Sequence, residues 1–134
     1  IGARYVSKEE LLKEADYICI LMPLTSETIN FIAKDELALM KKTAILINTA
    51  RGGIINEMDL YVALVNKQIL AAGLDVFEQE PIEMNHPLLS LKNVVALPHI
   101  GSASVETRIK MATLAADNLI AVLTGNEPKF RVGL

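Results

Sequence analysis

The sequence predicts an α/β fold: a parallel sheet of about four strands covered by helices, followed by one long C-terminal helix. Two observations predict this class. Short apolar runs alternate along the chain with segments of helical character. The runs are also apolar throughout rather than half polar, which is typical of parallel strands buried on both faces. We therefore expect helices on both sides of the sheet.

The first helix and strand are marked by their ends. Ser7 and Glu10 have the capping-box spacing, in which each side chain accepts a hydrogen bond from a free N–H at a helix start. This predicts a helix over about 8–15. The apolar run 17–22 follows as a strand, and Pro23 ends it because proline cannot donate to the ladder.

The same order is repeated further along the chain. A helix is predicted over 34–40 and a strand over 44–48. The next helix, over 56–65, begins at Asn56, a residue type that caps helix starts, and a third strand is predicted over 71–76. Repeated helix-then-strand units favour a parallel sheet.

An irregular segment interrupts this order at 77–93. A loop of that length inside a compact domain is usually functional. A fourth strand is predicted over 94–97, stopped by Pro98. The long helix then covers about 103–123, and Gly125 lies where a glycine commonly ends a helix.

Composition narrows the class of protein further. A chain of 134 residues with 51% hydrophobic residues fits one compact domain with a sizeable core. A net charge of −3 without charge blocks argues against nucleic acid or an anionic membrane as partner. No apolar stretch approaches the ~20 residues that span a bilayer, and no signal peptide is recognised, so we expect a cytoplasmic protein. The single cysteine, Cys19, is interpreted as a core residue.

Ligands of parallel sheets bind outside the carboxyl ends of the strands. Arg51 follows the second strand and is itself followed by two glycines, which let the backbone turn sharply and leave room for a ligand. Its planar guanidinium matches a carboxylate, so it could grip an acid substrate. A surface arginine in a turn is the equally acceptable alternative.

His99 and Glu80 lie at the same predicted edge. Histidine exchanges protons near neutral pH, although a lone histidine is more often structural. Glu80 could accept the other ring N–H of His99 and favour its protonated form if the long loop folds back, but taken alone it is a solvated loop acid. Asp75 may bind a ligand amide or merely cap a turn. His86 is given a turn or capping role, and no metal site is supported.

At these residues a family resemblance becomes specific. The segments 49–53 (TARGG), 72–81 (AGLDVFEQEP) and 97–103 (LPHIGSA) resemble, in order and in spacing, the downstream motifs of the D-isomer-specific 2-hydroxyacid dehydrogenases. The resemblance implies a Rossmann-type half domain. The segment 85–103 is most similar to the glyoxylate, hydroxypyruvate and 2-ketogluconate reductases of that family.

The resemblance also implies roles. Arg51 would bind the substrate's carboxylate and carbonyl, His99 would be the general acid/base, and Glu80 would pair with His99. The cofactor, NAD or NADP, would exchange a hydride with a small 2-keto or D-2-hydroxy acid. The implied cofactor contacts are Met22, Pro23, Thr49, Ala50, Arg51, Asp75, His99 and Gly101.

One departure from the family pattern bears on the domain organisation. The Gly-x-Gly-x-x-Gly turn that approaches the pyrophosphate is not found in the sequence. We therefore expect residues 1–134 to form a single domain that is the C-terminal part of an NAD(P)-binding domain, with 126–134 leading back towards a substrate domain. The chain would then be a fragment of a homodimeric oxidoreductase and inactive alone. The alternative is a non-catalytic nucleotide-sensing or association module.

Overall fold

The computed structural model describes residues 2–131. The chain divides into two compact units, Ile1–His99 and Ile100–Leu134. The first unit contains the sheet with its helices, and the second contains one long helix. This is the predicted α/β class, and the fold-class prediction is confirmed.

All strands of the sheet are parallel, and each lies beside the next strand in the chain. They are β1 (Tyr17–Ile20), β2 (Ile45–Asn48), β3 (Ala71–Leu74) and β4 (Val94–Ala96). The strands end in step, because Ile20 pairs with Asn48, Asn48 with Leu74, and Leu74 with Ala96. β1, β3 and β4 stop before their predicted ends. Val76, for example, is buried outside β3, since an apolar run reports burial rather than pairing.

The helices of the first unit start where the sequence predicts. They are α1 (Lys8–Glu14), α2 (Lys34–Leu39) and α3 (Glu57–Val65), and a 3-10 helix covers Pro87–Ser90. The Ser7 hydroxyl accepts the Glu10 N–H at 3.1 Å, and the Asn56 carboxamide oxygen accepts the Asp59 N–H at 3.0 Å. These two side chains satisfy N–H groups that a helix start otherwise leaves free, so the caps predicted at Ser7 and Asn56 are confirmed. The reciprocal half of the capping box is not, because the Glu10 carboxylate lies 2.9 Å from the Arg4 guanidinium instead.

The core lies between the three helices and one face of the sheet. Neighbouring helices contact each other, α1 with α2 and α2 with α3. Each connection leads from one strand to the next in the same direction across the sheet. Right-handed connections of this kind place their helices on the same face, which explains why neighbouring helices are in contact. Within Ile1–His99, the expectation of helices on both faces is therefore met on one face only. The buried residues include Leu12, Ile18, Ile20, Leu37, Leu46, Leu60, Leu64, Ala72 and Leu74.

The opposite face of the sheet is more open in this unit. Tyr17 and Val95 are 69% and 63% exposed. Cys19 lies on the same face of β1 and is exposed, so its interpretation as a core residue was wrong. An apolar run predicts a strand, but it does not tell which of the strand's two faces is covered.

The second unit is dominated by α4 (Val105–Leu123). The Ser104 hydroxyl caps its start by accepting the Thr107 N–H at 3.2 Å. Gly125, with φ of 78°, follows its end as predicted. Among the described residues, no helix has the length and apolar character needed to cross a membrane.

Candidate active site

The strand ends align one row of residues along the carboxyl edge of the sheet. Because the strands end in step, Leu21, Thr49, Asp75 and Leu97 each follow a paired position. The backbone N–H of Asp75 donates to the Asn48 carbonyl at 2.9 Å, and that of Leu97 donates to the Leu74 carbonyl at 2.8 Å. The turns after β2, β3 and β4 therefore start from fixed positions.

Asn48 shapes the turn that carries Arg51. This side chain is only 2% exposed, and it bridges the turn in two directions. Its carboxamide N–H donates to the Arg51 carbonyl at 2.9 Å, and its oxygen accepts the Ala50 N–H at 3.0 Å. The Arg51 guanidinium is exposed and donates to the Ala50 carbonyl at 2.7 Å. The sequence reasoning missed Asn48; the available signal was a polar residue ending an apolar strand.

The two glycines after Arg51 serve different purposes. A Cβ on Gly52 would lie 1.9 Å from the Phe77 carbonyl oxygen, so the turn after β2 touches the turn after β3 at this point. Gly53 has φ of 81°, a conformation that side chains disfavour. The prediction that the glycines permit a sharp turn is therefore supported. The room beside Gly52, however, is taken by the chain itself rather than left for a ligand.

His99 and Glu80 are in direct contact. His99 Nδ1 lies 2.7 Å from Glu80 Oε2. The other carboxylate oxygen, Oε1, accepts the Phe77 N–H at 3.0 Å, so the carboxylate is held from two sides. The long loop does fold back as the sequence reasoning required. Because an ionised carboxylate can only accept, Nδ1 is the donor in this hydrogen bond. The other ring nitrogen, Nε2, takes no part in it.

His99 has an unusual backbone. Its φ is 54°, in the left-handed region that non-glycine residues seldom adopt. Backbones of this kind persist where surrounding structure holds them, and they are enriched at functional sites. The turn points the ring towards Glu80, 19 positions earlier in the chain.

The electrostatics of Glu80 follow from these contacts. The hydrogen bond from His99 lowers the pKa of the Glu80 carboxyl below its ordinary value of 4.5, and the Phe77 N–H lowers it further. The positive charge of Arg51 acts in the same direction. Glu80 is thus ionised near neutral pH, and Arg51 lies within electrostatic reach of the pair.

Two hollows of the first unit open at this edge. One, of about 610 Å³, is lined by the turns after β1 and β2 and contains Met22, Pro23, Thr49, Ala50 and Arg51. The other, of about 500 Å³, contains Asp75, Glu80 and His99. The structure thus groups the predicted site residues of the first unit into these two hollows. Gly101 belongs to the second unit, and its role remains a prediction.

His86 has its predicted place in a turn and at a helix start, where its N–H donates to the Glu83 carbonyl and its carbonyl accepts the Leu89 N–H, both at 3.0 Å. It occupies the residue before the 3-10 helix, but its side chain makes no capping hydrogen bond there. Instead, Nε2 lies 3.1 Å from Glu57 Oε2 at the start of α3. Burial raises the pKa of the Glu57 carboxyl. This pair could not be predicted from the sequence, because Glu57 looks like any acidic residue in a first helical turn.

The fold and these side chains define a class: a parallel α/β domain with a guanidinium and a histidine–carboxylate pair beyond its strands, typical of nucleotide-dependent dehydrogenases. Residues 1–101 match the family model described as D-isomer specific 2-hydroxyacid dehydrogenase, NAD binding domain. The chain belongs to this family.

Two of the proteins to which the chain is similar are glyoxylate/hydroxypyruvate reductases. Glyoxylate/hydroxypyruvate reductase B of Yersinia pestis bv. Antiqua (strain Nepal516) is 56% identical over 124 residues, which are 92% of this chain and 38% of that protein. The NADPH-dependent glyoxylate/hydroxypyruvate reductase of Sinorhizobium meliloti, solved with NADP and malonate, is 37% identical with a TM-score of 0.92. That match covers 99% of this chain and 42% of the solved chain.

A second similar structure is D-lactate dehydrogenase with NAD+ from Lactobacillus jensenii. It is 32% identical with a TM-score of 0.86, covering 97% of this chain and 43% of that one. This chain therefore spans about two fifths of the length of the relatives it matches. The matched family model is an NAD binding domain, so the expectation of a nicotinamide cofactor is confirmed at the level of NAD or NADP.

The residues present fit the nicotinamide end of such a cofactor. The two hollows have mixed polar and apolar linings, which suit a flat ring carrying a carboxamide. Asp75, 4% exposed at the end of β3, provides a carboxylate at the same edge. Met22, Pro23 and Thr49 line the first of these hollows, and Asp75 lines the second.

Proposed function

We propose that this chain supplies the catalytic, nicotinamide-facing part of an oxidoreductase that transfers a hydride between NADH or NADPH and a small 2-keto acid. The substrate class is glyoxylate, hydroxypyruvate or 2-ketogluconate, and the product is the corresponding 2-hydroxy acid, in the D configuration where the new C–H bond creates a stereocentre. The contact between His99 Nδ1 and Glu80 Oε2 at 2.7 Å carries the proposal. Similarity to the glyoxylate/hydroxypyruvate reductases of Yersinia pestis and Sinorhizobium meliloti supports the first two of these substrates.

In this proposal His99 handles the proton. Glu80 holds Nδ1, so that Nε2 can donate to the keto oxygen as that oxygen gains negative charge. When bound, a reduced nicotinamide would supply the hydride for the keto carbon. Proton and hydride together would give the hydroxy acid, and His99 would then regain a proton from solvent. Since Glu80 is ionised near neutral pH, it stabilises the positive ring between turnovers.

Arg51 binds the substrate's carboxylate in this scheme. Its guanidinium is exposed at the hollow after β2 and presents a planar fork of N–H donors. The hydrogen bonds of Asn48 set the turn from which this side chain leaves. The roles of Met22, Pro23, Thr49, Ala50, Asp75 and Gly101 as cofactor contacts are part of the same proposal.

The homodimer is proposed from the family resemblance, and the location and partners are proposed from the composition and apolar pattern of the sequence. We infer a cytoplasmic homodimer of the protein that carries this chain, with no nucleic-acid or membrane partner. Light scattering of the purified full-length protein tests the dimer. A monomeric mass would contradict it.

The reaction is tested by assaying the full-length protein that carries this chain. Oxidation of NADH or NADPH should depend on added glyoxylate or hydroxypyruvate and should be lost in His99→Gln. The separate 134-residue chain should show no appreciable turnover, because the sequence contains no Gly-x-Gly-x-x-Gly turn for the pyrophosphate. A full-length protein inactive on every small 2-keto acid tried would refute the proposal.

A further inference from the structure

The segment that carries Glu80 needs an external anchor. Between the end of β3 at Leu74 and the 3-10 helix that starts at Pro87, the described chain forms neither helix nor strand. Loops without backbone ladders are the most mobile parts of a fold. Glu80 nevertheless lies within hydrogen-bond distance of His99. Contacts other than the backbone hydrogen bonds of the sheet must therefore position Glu80.

One side chain of α3 contacts this loop on both sides of Glu80. The carboxylate of Glu57, the first residue of α3, accepts the Glu78 N–H on Oε1 at 2.6 Å. Its other oxygen, Oε2, lies 3.1 Å from His86 Nε2. Glu78 precedes Glu80 by two residues and His86 follows it by six, so one carboxylate ties down both ends of the loop.

Further contacts reinforce these two. The Glu57 N–H donates back to the Glu78 carboxylate at 3.3 Å. The rings of His86 and Phe77 meet edge to face with their centroids 6.2 Å apart. The Glu57 and His86 side chains are only 13% and 25% exposed, so solvent screens this contact less than a surface pair.

We propose that Glu57 and His86 are positioning residues that hold the loop 78–86 and thereby set Glu80 against His99. The inference rests on the proposed function, in which the Glu80–His99 pair handles the proton. Neither residue lines the hollow that contains His99, so their influence on the reaction passes through Glu80. Small displacements of such groups lower turnover more than they weaken substrate binding.

A double-mutant cycle on the full-length protein tests this. Glu57→Gln removes the negative charge and leaves one acceptor oxygen, so an amide that still accepts the Glu78 N–H presents its NH2 group, in place of an oxygen, to His86 Nε2. We expect it to lower kcat about 10-fold with KM for the keto acid changed less than about 2-fold. In a Glu80→Gln background the same change should lower kcat by less than about 2-fold, because its target is gone. Glu9→Gln, an exposed glutamate of α1 paired with Lys13, is the matched control and should change neither constant.

Each outcome bears on one proposal. If Glu57→Gln lowers kcat by the same factor in both backgrounds, Glu57 does not act through Glu80 and the inference fails, while the proposed function stands. If Glu80→Gln leaves kcat unchanged, the proposed proton relay fails and takes the inference with it. His86→Gln, which releases only the far end of the loop, should give a smaller effect of the same kind and serves if Glu57→Gln does not fold.

Hydrogen exchange gives a readout that needs no activity. The Phe77 N–H donates to Glu80 Oε1, so its protection reports where the Glu80 side chain sits. In Glu57→Gln this amide should exchange on the order of 10-fold faster, while Leu46 in the middle of β2 keeps its rate. Unchanged protection of Phe77 would overturn the inference whatever the kinetics show.

Discussion

Gly52→Ala should disrupt the junction between two site-bearing turns. The added Cβ would lie 1.9 Å from the Phe77 carbonyl oxygen, 2.0 Å from its carbon and 2.5 Å from the Glu78 nitrogen. All three are backbone atoms, so no flexible side chain can move aside. These distances are shorter than an ordinary van der Waals contact. To remove the clash, the turn after β2 and the turn after β3 would have to move apart by about 1 Å or more.

The expected loss of stability is at least about 3 kcal/mol, the upper part of the range for overpacked sites. Urea unfolding followed by circular dichroism measures it, and at a slope of about 1.5 kcal/mol per M the midpoint should fall by about 2 M. Gly73→Ala is the matched control, because its Cβ would meet only Ile47 side-chain carbon at 3.8 Å. It should change the free energy of unfolding by less than about 1 kcal/mol. Equal midpoints for the two variants would refute the reasoning.

Three further predictions concern the proposed site. In the full-length protein, His99→Ala should lower kcat roughly 10²- to 10⁴-fold by removing the proton donor, and steady-state kinetics with near-normal kcat would contradict its role. Arg51→Ala should raise KM for the keto acid about 10-fold or more, as expected for a lost charged hydrogen bond, and an unchanged KM would argue against it. Because the folded state lowers the pKa of Glu80 below 4.5, its contribution to stability is present above pH 4.5 and is lost as pH falls through the folded pKa. Urea unfolding at a series of acid pH values should therefore show a shallower acid loss for Glu80→Gln, and identical slopes would count against the pair.

Much of the fold was predictable because its signals are local. Ser7 and Asn56 cap their helices through contacts that span three residues, and such spacing is readable in a sequence. Gly125 marks a helix end in the same way. Cys19 was misjudged for the opposite reason, since the cover on a strand's face depends on elements far away in the chain.

The candidate site was only partly predictable. Arg51, Glu80 and His99 were ambiguous when taken singly. They became candidates because all three follow parallel strands within segments that resemble one family's motifs. Asn48 and Glu57 did not stand out, because their partners are backbone groups and a histidine that only the folded loops bring near. A residue that positions another residue looks ordinary in the sequence. Its role is recognised only from the contacts that it makes in the folded chain.

The geometry of the pair depends on backbone constraints at both of its ends. His99 adopts a φ of 54°, in the left-handed region. This conformation costs a residue with a side chain about 1 to 2 kcal/mol. A glycine there would relieve the strain but would remove the ring. At the other end, Gly52 lets the turn after β2 press against Phe77, whose N–H orients the Glu80 carboxylate. A side chain at position 52 would therefore disturb the Glu80–His99 contact without touching either residue. This is why the absence of a side chain at Gly52 matters to the pair, since the Phe77 carbonyl fills the space beside it.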